Sequence, residues 1–259
     1  MLARVDSSQR WYWNAYGKHP VAKDFFGLGQ NIPLLQAMSD WVKKGYGTLA
    51  AKRDKFYDPY SYRFWARGGG GETLICGLVR QSTDSVGRPY PLTLIGLGPL
   101  LGWQNQWDLV PFACERSWSQ MERISSKSFG DLKQFDEEVR KVRPPSPQWS
   151  NYLAEREKLD KERSDLSDEN FGEKTRDLND WVARFANQTE TFIPLDEGLF
   201  YDQFILASLW HFLIKTEIKV VPNAVFMGGT PLMAYLALFR RPLTAADFVL
   251  LWSVCSEEK

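Results

Sequence analysis

The sequence predicts an α/β fold in which one sheet carries helices on both faces, and three observations lead there. Strand-like and helix-like segments interleave along the whole chain, both halves end in apolar material that cannot bury itself alone, and no repeat of fixed period points to a solenoid. The 259 residues, 44% hydrophobic and 25% charged, sit in the ordinary globular range and suffice for a large core.

Residues 10–16 are aromatic and extended in character, and Gly17-Lys18-His19-Pro20 ends them with a glycine and a proline, so a first strand and its exit loop are expected. From 34 to 49 the apolar residues Leu34, Leu35, Met38, Trp41, Val42 and Tyr46 recur at helical spacing behind Pro33, a suitable first helical residue. Residues 62–66 and 73–79 read as strands joined by Gly68-Gly69-Gly70-Gly71, a tract free to turn. A further strand is expected over 88–97, its start at an edge or bulge because Pro89 and Pro91 cannot donate ladder hydrogen bonds.

Helices are predicted over 107–124 and 129–142, with Asp108 and Asp131 near their starts, where a carboxylate favours exposed backbone amides. Pro144-Pro145-Ser146-Pro147 then breaks the chain. Residues 153–169 are dominated by charge, with Leu159 and Leu166 as their large apolar points after the first residue, so a solvated helix or a mobile excursion is expected there. An apolar helix follows over 200–214, then strands over 224–227 and 235–239 separated by Gly228-Gly229, and a last helix over 245–252 capped by Thr244. The chain is thus expected to be a single domain over 1–259, with a Pro-rich and charged excursion over 143–175 that is helical or mobile near 150–175.

Composition narrows the function classes. Lys plus Arg and Asp plus Glu both total 32, which leaves no net charge to recruit nucleic acid or an anionic membrane over the whole surface. Eleven tryptophans are expected to build mainly a bulky core and partly a contact surface. Cys76, Cys114 and Cys255 have no short spacing, so neither a disulfide framework nor a thiolate zinc site is expected. No basic start followed by an apolar run opens the chain, and no run of ~18 apolar residues occurs; the expected location is the cytoplasm.

Catalytic and metal constellations are weak throughout. The glycine tract lacks the Gly-Lys-Ser/Thr ending of a phosphate-binding loop and lies between strands rather than before a helix. His19 and His211 are the two histidines, and neither sits in a metal-binding motif. His211 lies in an apolar helix, where a satisfied core or rim residue is expected; His19 lies in the first loop beside Lys18 and near Asp24. Ser82, Thr83 and Ser85 surround Asp84 without a nucleophile elbow, and the acidic residues from 160 to 173 do not match a calcium loop. Neither a catalytic residue, a cofactor nor a metal is therefore expected.

The turn from Asp84 to Leu92 remains. Aspartate can accept backbone hydrogen bonds, Gly87 can supply a positive φ, and Arg88 can fork onto a carboxylate. Two readings stand: an internally braced hairpin, or an exposed Asp84–Arg88 pair that contacts a partner.

Three stretches resemble the TagF/ImpM family of type VI secretion accessory proteins. Gly17-Lys18-His19-Pro20-Val21-Ala22-Lys23-Asp24-Phe25 is similar to the family's opening Gly-Lys-x-Pro-x-x-Gly-Asp-Phe, with Trp41 following in the first helix. Phe64-Trp65 precedes Cys76-Gly77-Leu78, and Ser82-Thr83-Asp84-Ser85-Val86-Gly87-Arg88-Pro89-Tyr90-Pro91-Leu92 resembles the family's Ser-x-Asp-x-Val-Gly-Arg-x-aromatic-Pro-Leu. Residues 224–229 and 241–248 occupy the places of its Ser-Leu-Trp-Trp strand and terminal segment. The chain departs from the pattern at Lys23, where glycine is usual, and at Val225-Phe226, where paired tryptophans are usual.

The resemblance implies a three-layer α/β/α sandwich around a mixed sheet, and a non-enzymatic, cytoplasmic, post-translational repressor of type VI secretion assembly. The partners it implies are type VI secretion components, a forkhead-associated scaffold among them, with neither nucleic acid nor direct membrane insertion. The family-motif and candidate contact residues are Gly17, Lys18, Pro20, Asp24, Trp41, Trp65, Gly77, Asp84, Gly87, Arg88, Tyr90 and Pro91. The alternatives are a structural part of the cytoplasmic basal assembly, or an enzyme with Asp24, Asp84 and Arg88 in one cleft and His19 as acid or base.

Overall fold

The structure, a computed structural model, describes residues 10–51, 59–165, 188–195, 203–218 and 220–254. Eight strands form one sheet: β1 (Tyr12–Gly17), β2 (Phe26–Leu28), β3 (Ser61–Arg67), β4 (Thr73–Arg80), β5 (Leu92–Pro99), β6 (Glu190–Pro194), β7 (Ala224–Gly229) and β8 (Ala234–Phe239). Their spatial order is β2-β1-β5-β4-β3-β7-β8-β6. The helices are α1 (Pro33–Ala50), α2 (Val110–Ser126), α3 (Leu132–Arg140), α4 (Trp149–Asp165), α5 (Gln203–Glu217) and α6 (Ala245–Leu251).

The α/β class and the helix-covered sheet are as expected, but each pairing among the described strands is antiparallel rather than mixed. The reason is local. β3–β4, β4–β5 and β7–β8 are sequence neighbours joined by short loops, and a short loop can return the chain only antiparallel, since a parallel neighbour needs a long crossover. The glycine tract closes the β3–β4 hairpin, with Gly68 N donating to Thr73 O at 2.9 Å and Thr73 N to Gly70 O at 3.0 Å.

Alternation along the strands supplies two cores. On one face α1 and α6 pack over Tyr62, Phe64, Phe226 and Phe239, with Trp41 5.6 Å from Phe226 and Phe248 stacked on Trp252 at 4.1 Å. On the other, α2, α3 and α5 cover Trp65, Trp103, Trp107 and Trp118. Trp41, Trp65, Trp103, Trp107, Trp118, Trp210 and Trp252 are all buried, so most of the described tryptophans serve the interior; Trp181 lies outside the described residues. Val225 and Phe226, which stand where the family has paired tryptophans, are both buried, one on each face of the sheet.

Several boundaries moved for identifiable reasons. The strand expected over 88–97 begins at Leu92, because both prolines stay in the turn and leave β5 free to occupy the sheet interior. The helix expected from 107 opens with a short 3-10 turn at Trp107–Leu109 and becomes α2 at Val110, ahead of Pro111. Asp131 caps α3 by accepting from Gln134 N at 2.8 Å, as expected. Asp108 does not cap; its buried carboxylate is held by Arg156 and Lys215 at 2.5 Å each. At α6 the Asp247 carboxylate completes a capping box, accepting from Thr244 N at 2.6 Å and from the Thr244 hydroxyl at 3.1 Å.

The charged stretch is helical where described, as α4, and Trp149 ties its start to the body by donating to Leu101 O at 2.8 Å. Residues 166–175 of the expected excursion, and 200–202 of the expected apolar helix, lie outside the described residues. β2 and β6 have no counterpart in the sequence reading. β2 is only three residues long, and β6 shows its alternation, with Thr191 and Ile193 inward, over five residues.

Strand register sends the motif-bearing loops to one end of the sheet. Gly17 pairs with Leu92, Leu92 with Arg80, Arg80 with Ser61, and Ser61 with Gly229. The loops 18–25 and 81–91 and the tip of the β7–β8 hairpin therefore leave the sheet together.

Candidate partner-binding surface

The centre of this loop end is the Asp84 carboxylate. Asp84 Oδ1 accepts from Val86 N at 3.1 Å and Arg88 N at 3.0 Å, while Oδ2 accepts from Arg88 Nε at 2.6 Å and Lys18 Nζ at 3.0 Å. Gly87, at φ 83°, closes the turn by donating to Asp84 O at 3.0 Å, a backbone region that glycine enters without steric cost. Tyr90 N reaches Ser82 O at 2.9 Å, and Thr83 bridges to Pro89. Burial pushes the Asp84 carboxyl pKa up, but the backbone amide of Arg88, the Lys18 ammonium and the Arg88 side chain outweigh it and hold the group well below the usual carboxylate range.

The first loop is fastened to this turn from several sides. A Cβ on Gly17, at φ 114°, would stand 2.0 Å from Pro91 O, so a side chain there would force the two segments apart. Lys18 is buried, with Nζ 4.7 Å from the centre of the Phe25 ring. Ser85 N donates to Ala22 O at 2.9 Å and Arg88 Nη2 to Lys23 O at 2.6 Å, and Arg88 also lies 3.7 Å from Asp24 Oδ1. Tyr90 is gripped edge-on by Phe25 at 4.4 Å and by Tyr46 of α1 at 4.8 Å, and Tyr46 OH donates to Pro89 O at 3.2 Å.

The result is a braced base with an exposed crown. Phe25 is 58% and Val86 68% exposed, and the Arg88 side chain is 53% exposed beside the open Asp24. A rigid patch mixing an aromatic ring, an aliphatic side chain and a guanidinium has the makeup of a protein contact. Asp84 is the interior brace of the turn, so the exposed pair of the sequence reading reduces to Arg88 alone.

The remaining motif residues divide. Gly17, Lys18, Asp24, Gly87, Tyr90 and Pro91 belong to the loop end, and Pro20 is exposed in the same loop. Trp41, Trp65 and Gly77 lie elsewhere. Trp41 Nε1 donates to Thr244 O at 2.7 Å and locks α1 to α6. Gly77 leaves room for the Phe64 ring, which a Cβ would meet at 2.4 Å. Trp65 Nε1 donates to His211 Nε2 at 3.1 Å, which fixes the His211 proton on Nδ1, where it is given to Ala207 O at 2.6 Å. Burial lowers the His211 pKa to about 4, so this is a neutral core histidine.

His19 faces away from Asp84, toward Phe135 at 4.9 Å and Phe129 at 5.8 Å, and its Nδ1 accepts from Val21 N at 3.2 Å. Arg88 thus joins Asp24 to Asp84, while His19 belongs to a separate pocket. Val86 stands in the matched turn motif and Tyr46 in the apolar stripe of the first helix, but the sequence reading counts neither among the candidate contact residues. Val86 is an ordinary turn residue until the fold exposes it, and Tyr46 reads as one more apolar helix position. Among the described residues no group of three or more His, Cys, Asp or Glu could hold a metal ion, and no helix is long and apolar enough to cross a membrane.

Residues 14–142 match the family described as TagF N-terminal domain, Type VI secretion system-associated. That stretch runs from β1 to the end of α3 and contains the whole Lys18–Asp84–Arg88 arrangement. The fold is similar to the crystal structure of PA0076 from Pseudomonas aeruginosa PAO1, with a TM-score of 0.51 and 18% identity over 92% of this chain and 93% of that one. No curated protein matches the chain.

Proposed function

This chain belongs, through residues 14–142, to the TagF N-terminal domain family of type VI secretion system-associated proteins, and from that premise we propose that it is a cytoplasmic, non-enzymatic accessory protein that represses assembly of the apparatus after translation. It does so by binding an apparatus component, for which a forkhead-associated scaffold protein is our candidate. The observation that carries the reading is the exposed crown of Phe25, Val86 and Arg88 on a base fastened by Asp84 and Lys18.

The chemistry of the base favours binding over turnover. A carboxylate offers about four lone-pair positions, and Asp84 receives four hydrogen bonds while shielded from solvent. Such a group has no vacant position from which to take a substrate proton. What it supplies is a fixed orientation for the guanidinium above it.

Two measurements test the proposal in the cell. Deleting the gene is expected to raise secretion of the apparatus's tube protein with no rise in its transcript, and overexpression to lower it. Unchanged secretion in both strains contradicts repression. For the partner, affinity between the purified chain and the forkhead-associated scaffold is expected to fall on Arg88→Ala.

A further inference from the structure

Three strands end side by side next to the β7–β8 hairpin tip, where Ser61 of β3 pairs with Arg80 of β4 on one side and with Gly229 of β7 on the other. Between these ends, α2 and the start of α5 lies a pocket of about 390 Å³, a volume in the range of small-molecule sites. Its described lining includes neither the crown of the loop end nor any of the family-motif residues.

The charged residues of that lining are Arg63, Glu122 and Arg80. Arg63 is spent. Its Nε and Nη2 fork onto the two oxygens of Glu122 at 2.7 and 2.8 Å, and its Nη1 donates to Glu115 at 2.7 Å. Arg80, which is half-buried, differs: its Nη1 donates to the hydroxyls of Ser125 and Ser126 at 2.9 and 2.8 Å, and among the described residues no carboxylate lies within ion-pair distance of it. A guanidinium carries five N–H donors, so Nε and Nη2 remain. They are the same two nitrogens with which the neighbouring Arg63 grips a carboxylate, and a pair of parallel N–H donors matches the two oxygens of that group. A half-buried cation met by hydroxyls alone is costly to keep, and a carboxylate is what its vacant edge fits.

Apolar side chains complete the lining. Leu195, just past β6, and Met227 of β7 belong to the core on this face of the sheet, and Phe204 of α5 is held edge-on by Phe112 at 5.3 Å. Such a wall rewards a ligand whose carboxylate carries an apolar body, and gives nothing to a bare inorganic anion. We propose that this pocket binds a monocarboxylate with an apolar body, its carboxylate forked by Arg80 and its body laid against Leu195, Phe204 and Met227. Two sources share that chemistry, a free small acid and the carboxyl end of a peptide chain.

An NMR titration of the full chain with hexanoate, acetate and inorganic phosphate, at ionic strength fixed by chloride, tests this. Saturable shifts of the Gly228, Gly229 and Thr230 amides are expected with hexanoate, at an affinity about tenfold or more above that of acetate and reduced about tenfold or more in Arg80→Met. A second arm uses N-acetyl-alanyl-leucine and its C-terminal amide. Tighter binding of the peptide acid than of hexanoate, with no response to the amide, assigns the site to a chain end; equal or weaker binding assigns it to a free small acid. Non-saturating shifts, hexanoate no tighter than acetate, phosphate tighter than hexanoate, or an affinity undiminished in Arg80→Met each overturn the proposal. Should Arg80→Met fail to fold, Arg80→Lys carries the same decision, because lysine keeps the charge and lacks the fork; undiminished hexanoate binding there overturns the proposal. The hexanoate response is expected to survive Phe25→Ser and Val86→Ser, so failure here is distinguishable from failure of the proposed contact surface.

Discussion

The Asp84 carboxylate and the Lys18 ammonium meet at 3.0 Å with side chains 0% and 6% exposed, joining the loop after β1 to the turn before β5 beneath the protein surface. Breaking such a pair from one side strands the other charge without solvent, which costs far more than losing a surface ion pair. Asp84→Ala is therefore expected to lower the melting temperature by about 5–10 °C. Arg88→Ala, which removes a half-exposed partner and leaves Lys18 in place, is expected to lower it by less than half as much. Thermal melts of the two variants side by side check this order.

Gly17→Ala is expected to be about as damaging as the loss of Asp84, for a steric rather than an electrostatic reason. The residue has φ 114°, and the new Cβ would stand 2.0 Å from Pro91 O. A strained backbone and a forced separation of β1 from β5 together cost at least about 2 kcal/mol. Urea unfolding reads that loss directly.

Much of this architecture was legible in the sequence, and the parts that were not have physical causes. The β3 and β4 strands around the glycine tract, the periodic α1 and the capped α3 followed from local patterns, because each is decided by residues close in the chain. The fully antiparallel sheet was not, since which strands become neighbours depends on the pairing of β1 with β5 and β3 with β7 across long separations. At the candidate surface, the family turn and its Asp84–Arg88 pair could be marked in advance. Which member would be buried could not, because that depends on Lys18 arriving from a loop 66 positions upstream of Asp84. The Asp108–Arg156–Lys215 cluster was missed for the same reason: Asp108 reads locally as a helix cap.

That cluster decides how α4 is attached. Two cations from α4 and α5 converge on the buried Asp108, and Arg156 also lies 4.5 Å from the centre of the Phe212 ring. Arg156→Ala leaves Lys215 to neutralise the carboxylate but removes the link from α4. Amides of residues 153–159 are expected to exchange about tenfold faster or more, a loss of about 1.4 kcal/mol in local stability, while β4 and β5 keep their protection. Hydrogen exchange resolved by peptide checks it.

Acid sensitivity follows from His211. Its folded-state pKa of about 4 lies below the ordinary 6.5, so between those values the unfolded chain binds a proton that the folded chain excludes. Stability is therefore complete above about 6.5 and falls as pH drops toward about 4, by about 3 kcal/mol from this residue. Asp84, also depressed, adds a second loss that begins only below the ordinary carboxylate value of 3.8. Denaturant midpoints at pH 7.5, 6 and 5 are expected to decline for the native chain, and the decline is expected to shrink in His211→Phe.

The contact proposed for the crown of the loop end is tested most directly by secretion. In a strain lacking the native gene, a chain carrying Phe25→Ser, Val86→Ser and Arg88→Ala is expected to accumulate to the native level, fold normally and leave secretion of the tube protein unrepressed, whereas the unaltered chain restores repression. Full repression by the folded triple variant would contradict the account.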